Sequence, residues 1–176
     1  MPQARRIVEE MKRQRVTHVV GVPDNTSKAL FEALHEEPTL RVLSVTREGE
    51  AFAIAAGLWA GGASPLVLIQ NTGLLESGDA IRGTAMRMRI PLVCLVTYRG
   101  YAGLSKAGNL GAIDGPLLGR NELDSTAVLT EPTLTAWGLP FSFVHGDADL
   151  SRFTQAFGAA RAQEQPVAVL LTRPTT

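Results

Sequence analysis

The chain has 176 residues and carries 17 basic against 17 acidic side chains, a formal net charge of zero. That balance leaves no basic face for nucleic acid, and no apolar run approaches the roughly 18 residues of a membrane helix. A hydrophobic share of 45% against 19% charged residues is high for a small monomer, and it predicts that another subunit covers part of the surface.

The length suits one domain with a sizeable core, so residues 1–176 are read as a single domain. One cysteine, Cys94, sits inside an apolar run. It reads as a core residue rather than a nucleophile. With no second cysteine to pair with, the chain is expected in a reducing cytoplasm. The first residues are charged and lack an apolar stretch, so no secretory leader is expected.

Residues 2–14 place Ala4, Ile7, Val8 and Met11 at helical spacing. Their basic residues alternate with Glu9 and Glu10 and read as the solvated side of that helix. Residues 17–22 predict a buried strand ending in the turn Pro23-Asp24-Asn25, whose polar side chains can cap a helix over 27–35. A second strand is expected at 41–45. It runs into Thr46-Arg47-Glu48-Gly49-Glu50 and then a helix to about Ala60 that has no charge after its first turn. Such a helix is expected to be buried on most sides, with Glu48 at the edge of a dry region.

After the break Gly61-Gly62-Ala63-Ser64-Pro65, a third strand covers 66–70 and ends in Asn71-Thr72-Gly73. A helix is expected over 75–88 and a fourth strand over 91–96. The glycine-rich stretch 98–115 shows no period and reads as a long functional or mobile loop. Helices are expected at 116–127, 131–137 and about 149–163, with strands at 141–144 and 166–171. Strands that are apolar throughout and alternate with helices predict an α/β fold. It has three layers, α/β/α, around a central parallel sheet of about six strands.

In such sheets ligands bind beyond the carboxyl ends of the strands. Those ends carry Asp24, Glu48, Gln70-Asn71-Thr72-Gly73 and Arg99. No self-contained catalytic set accompanies them. His18, His35 and His145 are scattered without metal-ligand spacing. There is no Gly-x-Ser-x-Gly elbow, no phosphate loop ending in Gly-Lys-Ser/Thr, and no Gly-x-Gly-x-x-Gly after the first strand. A flavodoxin-like nucleotide module is disfavoured for the same reason. Glu48 would therefore act on something bound. As a bare helix-start acid it would do no more than offset the dipole, worth about 0.3–1 kcal/mol. Glu50 reads as a surface or interface acid.

Three segments together carry a resemblance: Gly21-Val22-Pro23-Asp24-Asn25, Glu48 with Ala55-Ala56-Gly57, and Gln70-Asn71-Thr72-Gly73-Leu74. Ile90-Pro91-Leu92 and Tyr98-Arg99-Gly100 add to it. The chain resembles the pyrimidine-binding domain of thiamine-diphosphate enzymes, in particular phosphonopyruvate decarboxylases and the alpha subunit of sulfopyruvate decarboxylase, over roughly residues 1–172. The spacing from Glu48 to Gly57 is the family's usual one and favours Glu48 over Glu50 as the functional acid.

The resemblance implies that Glu48 is catalytic and hydrogen-bonds a ring nitrogen of the cofactor's aminopyrimidine, sharing a proton with it. An apolar setting raises a carboxyl's pKa and suits that task. It also implies that Gln70, Asn71, Thr72 and Gly73 lie beside thiamine diphosphate, and that Asp24, Asn25, Thr72 and Arg99 face a 2-keto acid. A guanidinium at Arg99 suits a phosphonate or sulfonate end.

The family's second half holds diphosphate through magnesium with a Gly-Asp-Gly motif and a later Asn. Gly146-Asp147-Ala148 is only a faint echo, and no Asn follows Asn121. The resemblance therefore implies no metal ligand in this chain. It implies one subunit of a split decarboxylase whose beta-type partner holds diphosphate and Mg2+, with two copies of each chain. A carboligating enzyme of the acetolactate-synthase kind and a non-catalytic scaffolding subunit of the same fold are the alternatives.

Overall fold

The computed structural model describes residues 1–176. Six parallel strands form one sheet: β1 (His18–Gly21), β2 (Arg41–Ser44), β3 (Pro65–Gln70), β4 (Val93–Thr97), β5 (Phe141–Val144) and β6 (Val167–Leu171). Their order across the sheet is β2-β1-β3-β4-β6-β5. The expected parallel α/β architecture is therefore present.

Eight α-helices connect the strands: α1 (Ala4–Arg13), α2 (Lys28–His35), α3 (Glu48–Ala60), α4 (Asn71–Glu76), α5 (Tyr101–Ala107), α6 (Gly115–Leu118), α7 (Ser125–Ala136) and α8 (Leu150–Gln163). Side chains alternate across the pleat and so build two cores. Leu66, Leu68, Val93, Leu95, Val167 and Val169 pack with α1, α2 and α8. Val67, Ile69, Cys94, Val96, Ala168 and Leu170 pack with α3 and α7 on the other face. Central strands buried on both faces have to be apolar throughout, and that is why β3, β4 and β6 read so plainly.

Several expected helix boundaries shift. The helix expected over 75–88 divides into α4 and a π-helical stretch, Ala80–Met86. α4 also begins earlier, at Asn71, so the Asn-Thr-Gly motif forms a first helical turn rather than a loop. The stretch 98–115 is not all loop: α5 starts after Gly100, whose φ of 81° and tight packing on Asp124 and Ala127 require glycine. Helices expected at 116–127 and 131–137 become the short α6 and a single α7 that runs through Pro132. Asp124 accepts the Thr126 N–H and starts α7, and Pro132 deletes one N–H without ending it.

α3 is also more open than expected. Ala51, Phe52, Ala55 and Ala56 are buried, but Ala53, Ile54, Gly57, Trp59 and Ala60 form an exposed, largely apolar side. Ile54 is 38% and Trp59 36% exposed. No helix is long and apolar enough to cross a membrane.

Candidate active site

The chain passes from β1 to β2 along one face of the sheet and from β2 to β3 along the other. The carboxyl ends of β1 and β3 therefore flank the point where the winding reverses, the usual place for a ligand. Gly21 closes β1 tightly there: a Cβ on it would run into the Leu68 carbonyl of β3.

Asp24 follows β1. Its Oδ1 accepts the N–H of Thr26 at 2.6 Å and of Ser27 at 3.2 Å, and its Oδ2 accepts the Ser27 hydroxyl at 2.6 Å. Thr97, the last residue of β4, also donates to Oδ2 at 3.1 Å, and Gln70 Nε2 approaches Oδ1 at 3.5 Å. Asp24 thus ties three strand ends together and its acceptors are largely taken. Asn25 beside it is exposed.

At the end of β3, Gln70 Oε1 accepts the Thr72 hydroxyl at 3.1 Å, and Thr72 is exposed. Asn71 turns inward and is fully buried. Its Nδ2 donates to the Arg99 carbonyl at 3.0 Å and to Thr130 Oγ1 at 3.1 Å, and its Oδ1 accepts the Arg99 N–H at 3.1 Å. That side chain is a strut from the start of α4 to the turn after β4 and to α7 rather than a group aimed at the rim. Gly73 is the floor under Glu48, because a Cβ at Gly73 would fall within the Glu48 side chain, on its Cγ and Cδ.

The two acids at the start of α3 differ in use. Glu50 reaches back to the N–H groups of Thr46 (3.1 Å) and Arg47 (3.3 Å) and to the Thr46 hydroxyl (3.0 Å). These bonds hold its carboxyl below the ordinary range and make it the helix's capping acid, a role its sequence reading as a surface or interface acid lacked. Glu48 is half-buried rather than enclosed, and its side chain takes part in no hydrogen bond or ion pair of the chain.

Arg99 pairs through Nε with Asp124 Oδ2 at 2.8 Å. Burial pushes the Asp124 carboxyl up, but the Arg99 guanidinium and the N–H groups starting α7 outweigh it and leave the carboxyl below its usual range. The Arg99 Nη groups make no bond within the chain, and the side chain is 53% exposed.

Two residues of the rim escaped the sequence reading. They are Asp124 and Glu76, the latter of which pairs with Arg47. Only Glu76 left a trace, as the sole charge in α4. Asp147 of the faint Gly-Asp-Ala echo binds the Gln3 N–H at 2.8 Å and Arg6 at 3.2 Å. No group of three candidate metal ligands occurs in the chain. A hollow of about 620 Å³ lies between α5, α7 and β5, lined by Tyr98, Leu104, Ile113, Val128, Glu131 and Phe141 among others. Of the rim only Tyr98 borders it, whereas a smaller hollow of about 450 Å³ is lined by Arg47, Gly49, Glu50 and Glu76.

The fold and the rim define a doubly wound domain that offers one free carboxylate at the sheet's winding reversal. A family model described as thiamine pyrophosphate enzyme, N-terminal TPP binding domain, matches residues 1–117. The chain belongs to that family; thiamine pyrophosphate is thiamine diphosphate under its other name.

Phosphonopyruvate decarboxylase of Streptomyces viridochromogenes is 38% identical over 106 residues, 58% of this chain and 27% of that protein. Sulfopyruvate decarboxylase subunit alpha of Methanothermobacter thermautotrophicus is 31% identical over 93 residues, 53% of this chain and 56% of that one. The matches therefore span about a quarter to just over half of these relatives. The crystal structure of benzoylformate decarboxylase from Polynucleobacter necessarius superposes with a TM-score of 0.68 at 20% identity. It covers 97% of this chain and 30% of that one, and it bears on the fold alone.

Proposed function

We propose that this chain is the pyrimidine-binding subunit of a thiamine-diphosphate-dependent 2-keto acid decarboxylase, with Glu48 as its acid. The observation that carries the reading is one of elimination. Asp24, Glu50, Glu76 and Asp124 all spend their carboxylates on partners within the chain. Glu48 alone is free, and it lies on a glycine that lets it rest flat against α4. This geometry fits the pyrimidine half of the cofactor, which needs one hydrogen-bonding carboxyl against a ring nitrogen.

When bound, the cofactor supplies the electron sink for decarboxylation. Glu48 holds and returns a proton at its carboxylate oxygen. The backbone of Thr72 and Gly73, with Gln70, offers polar edges beside it, and Asn71 serves through its buried strut. Asp24 shapes the substrate side, where Asn25 and Thr72 present exposed polar groups.

The substrate class follows from Arg99 and from the relatives' names. Its unengaged Nη groups suit a phosphonate or sulfonate, so phosphonopyruvate or sulfopyruvate is the proposed substrate. The residues that would hold diphosphate and Mg2+ belong on a beta-type partner, since Asp147 is already committed. The exposed apolar side of α3 supports such a partner, and two copies of each chain is the proposed assembly. The lone buried Cys94 suits a cytoplasmic home.

The experiment is co-expression with a chain carrying the diphosphate motif, then carbon dioxide release from phosphonopyruvate, sulfopyruvate and pyruvate with cofactor and magnesium. Activity should need both chains and favour phosphonopyruvate or sulfopyruvate over pyruvate. Glu48→Gln should lower kcat by about 100-fold or more; unchanged turnover in that variant overturns the mechanism.

A further inference from the structure

Glu48 sits between two anchored neighbours, and one side chain anchors both. Glu76, the last residue of α4, accepts Arg47 Nε on Oε1 at 3.1 Å and takes Arg47 Nη2 on the same oxygen. Its Oε2 accepts the Gly49 N–H at 3.2 Å. The Arg47 guanidinium holds the Glu76 carboxyl below its usual range.

At the other end of the same helix Gly73 forms the floor under the Glu48 side chain. α4 has six residues, about 9 Å of rigid helix, and Ser77 locks its end by donating to the Gly73 carbonyl at 2.6 Å. Asn71 bolts its start to Arg99, just beyond β4, and to α7. One short element therefore holds the Arg47 guanidinium on one side of Glu48, the Gly49 backbone on the other, and the surface on which the Glu48 side chain lies.

We propose that Glu76 is a positioning residue: by clamping Arg47 and Gly49 it aims the Glu48 carboxylate at the ligand on the rim. This rests on the reading of Glu48 given above. An exposed ion pair adds little stability, so the clamp's product is orientation. Two acceptor oxygens are needed, because the donors come from two residues. A glutamine at this position has one oxygen and can keep only one of them.

The first test uses the isolated chain and no cofactor. Amide hydrogen exchange in a peptide spanning residues 46–52 should quicken at Gly49 by about tenfold or more in Glu76→Ala, and less in Glu76→Gln. The second uses the two-chain complex with thiamine diphosphate and magnesium. In Glu76→Ala, kcat should fall about 10–100-fold while KM moves by no more than about twofold, and the loss should vanish in a Glu48→Gln background.

Unchanged exchange at Gly49, or a kcat loss that multiplies with that of Glu48→Gln, overturns the clamp. If Glu76→Ala does not fold, Arg47→Ala removes the guanidinium that holds the Glu76 carboxylate; kcat should fall in the same direction, with a smaller quickening at Gly49, whose own bond to Glu76 remains. A complex with no turnover sinks the decarboxylase reading instead, and the exchange measurement then decides the clamp by itself.

Discussion

The Cα of Gly73 lies directly beneath the side chain of Glu48, so close that a single added methyl would occupy the volume of the Glu48 Cγ and Cδ. Gly73 sits in the first turn of α4 with ordinary helical backbone, so the requirement for glycine is one of space. Gly73→Ala should fold, at a cost of about 0.5–1.5 kcal/mol as Glu48 turns to an unfavoured rotamer. It should nonetheless weaken thiamine diphosphate binding in the two-chain complex by about tenfold or more. Urea unfolding and cofactor titration on the same variant check the two halves. Native cofactor affinity in Gly73→Ala would mean that the carboxylate does not need its floor.

The two acids of α3 should separate by what their loss damages. Glu50 satisfies backbone donors at the helix start, so Glu50→Ala should lower the stability measurably. Glu48 has no partner to lose, and Glu48→Gln should leave the chain's stability within about 0.5 kcal/mol of wild type. Denaturant midpoints of the isolated chain test this without any partner. A larger stability loss for Glu48→Gln than for Glu50→Ala would reverse the assignment.

Asn71 is fully buried with three hydrogen bonds. Truncating it takes the partner from both the N–H and the carbonyl of Arg99 and leaves the Thr130 hydroxyl with its bond to the Thr126 carbonyl alone, and Asn71→Ala should cost roughly 2–4 kcal/mol. Because Asn71 holds the backbone of Arg99, the variant should also raise KM for a keto acid with a phosphonate or sulfonate end more than for pyruvate. A cost under about 0.5 kcal/mol would show the strut to be slack.

What the sequence disclosed follows the range of the forces involved. β3, β4 and β6 were legible because double-sided burial writes itself as continuous apolar runs. Glu48 and Gly73 were legible as motif residues, yet their contact was not, since nothing local couples them. Arg47 and Glu76 are 29 positions apart, and Asn71 and Thr130 are 59 apart. No periodicity reports a partner at that separation. The break expected between 127 and 131 is absent, because α7 is held by its Asp124 cap and by Leu134 in the core and runs on through Pro132. The openness of α3 was hidden for a related reason: alanine and glycine are tolerated equally on a buried face and on one awaiting a partner.

The carboxylates that hold the fold together also set its response to acid. Bonds from Lys12 and then from Thr39 draw the Glu37 carboxyl down from 4.5 to about 2. Glu76, beside Arg47, and Glu50, bonded by Thr46, are lowered as well. Asp147 is lowered by the Gln3 N–H first and by Arg6. A group lowered on folding stabilises the native state at pH above its unfolded value, and that contribution disappears as pH falls through the folded value. For Glu37 the window runs from 4.5 down to about 2, and the others lose theirs within and below their ordinary ranges. The melting temperature of the isolated chain should therefore be flat above about pH 5 and fall progressively below it. Glu37→Gln should flatten the lower part of that slope, and added salt should do so partially, because the Lys12 pair is solvent-facing. An acid limb identical in Glu37→Gln and wild type would place the acid sensitivity in the other carboxylates alone.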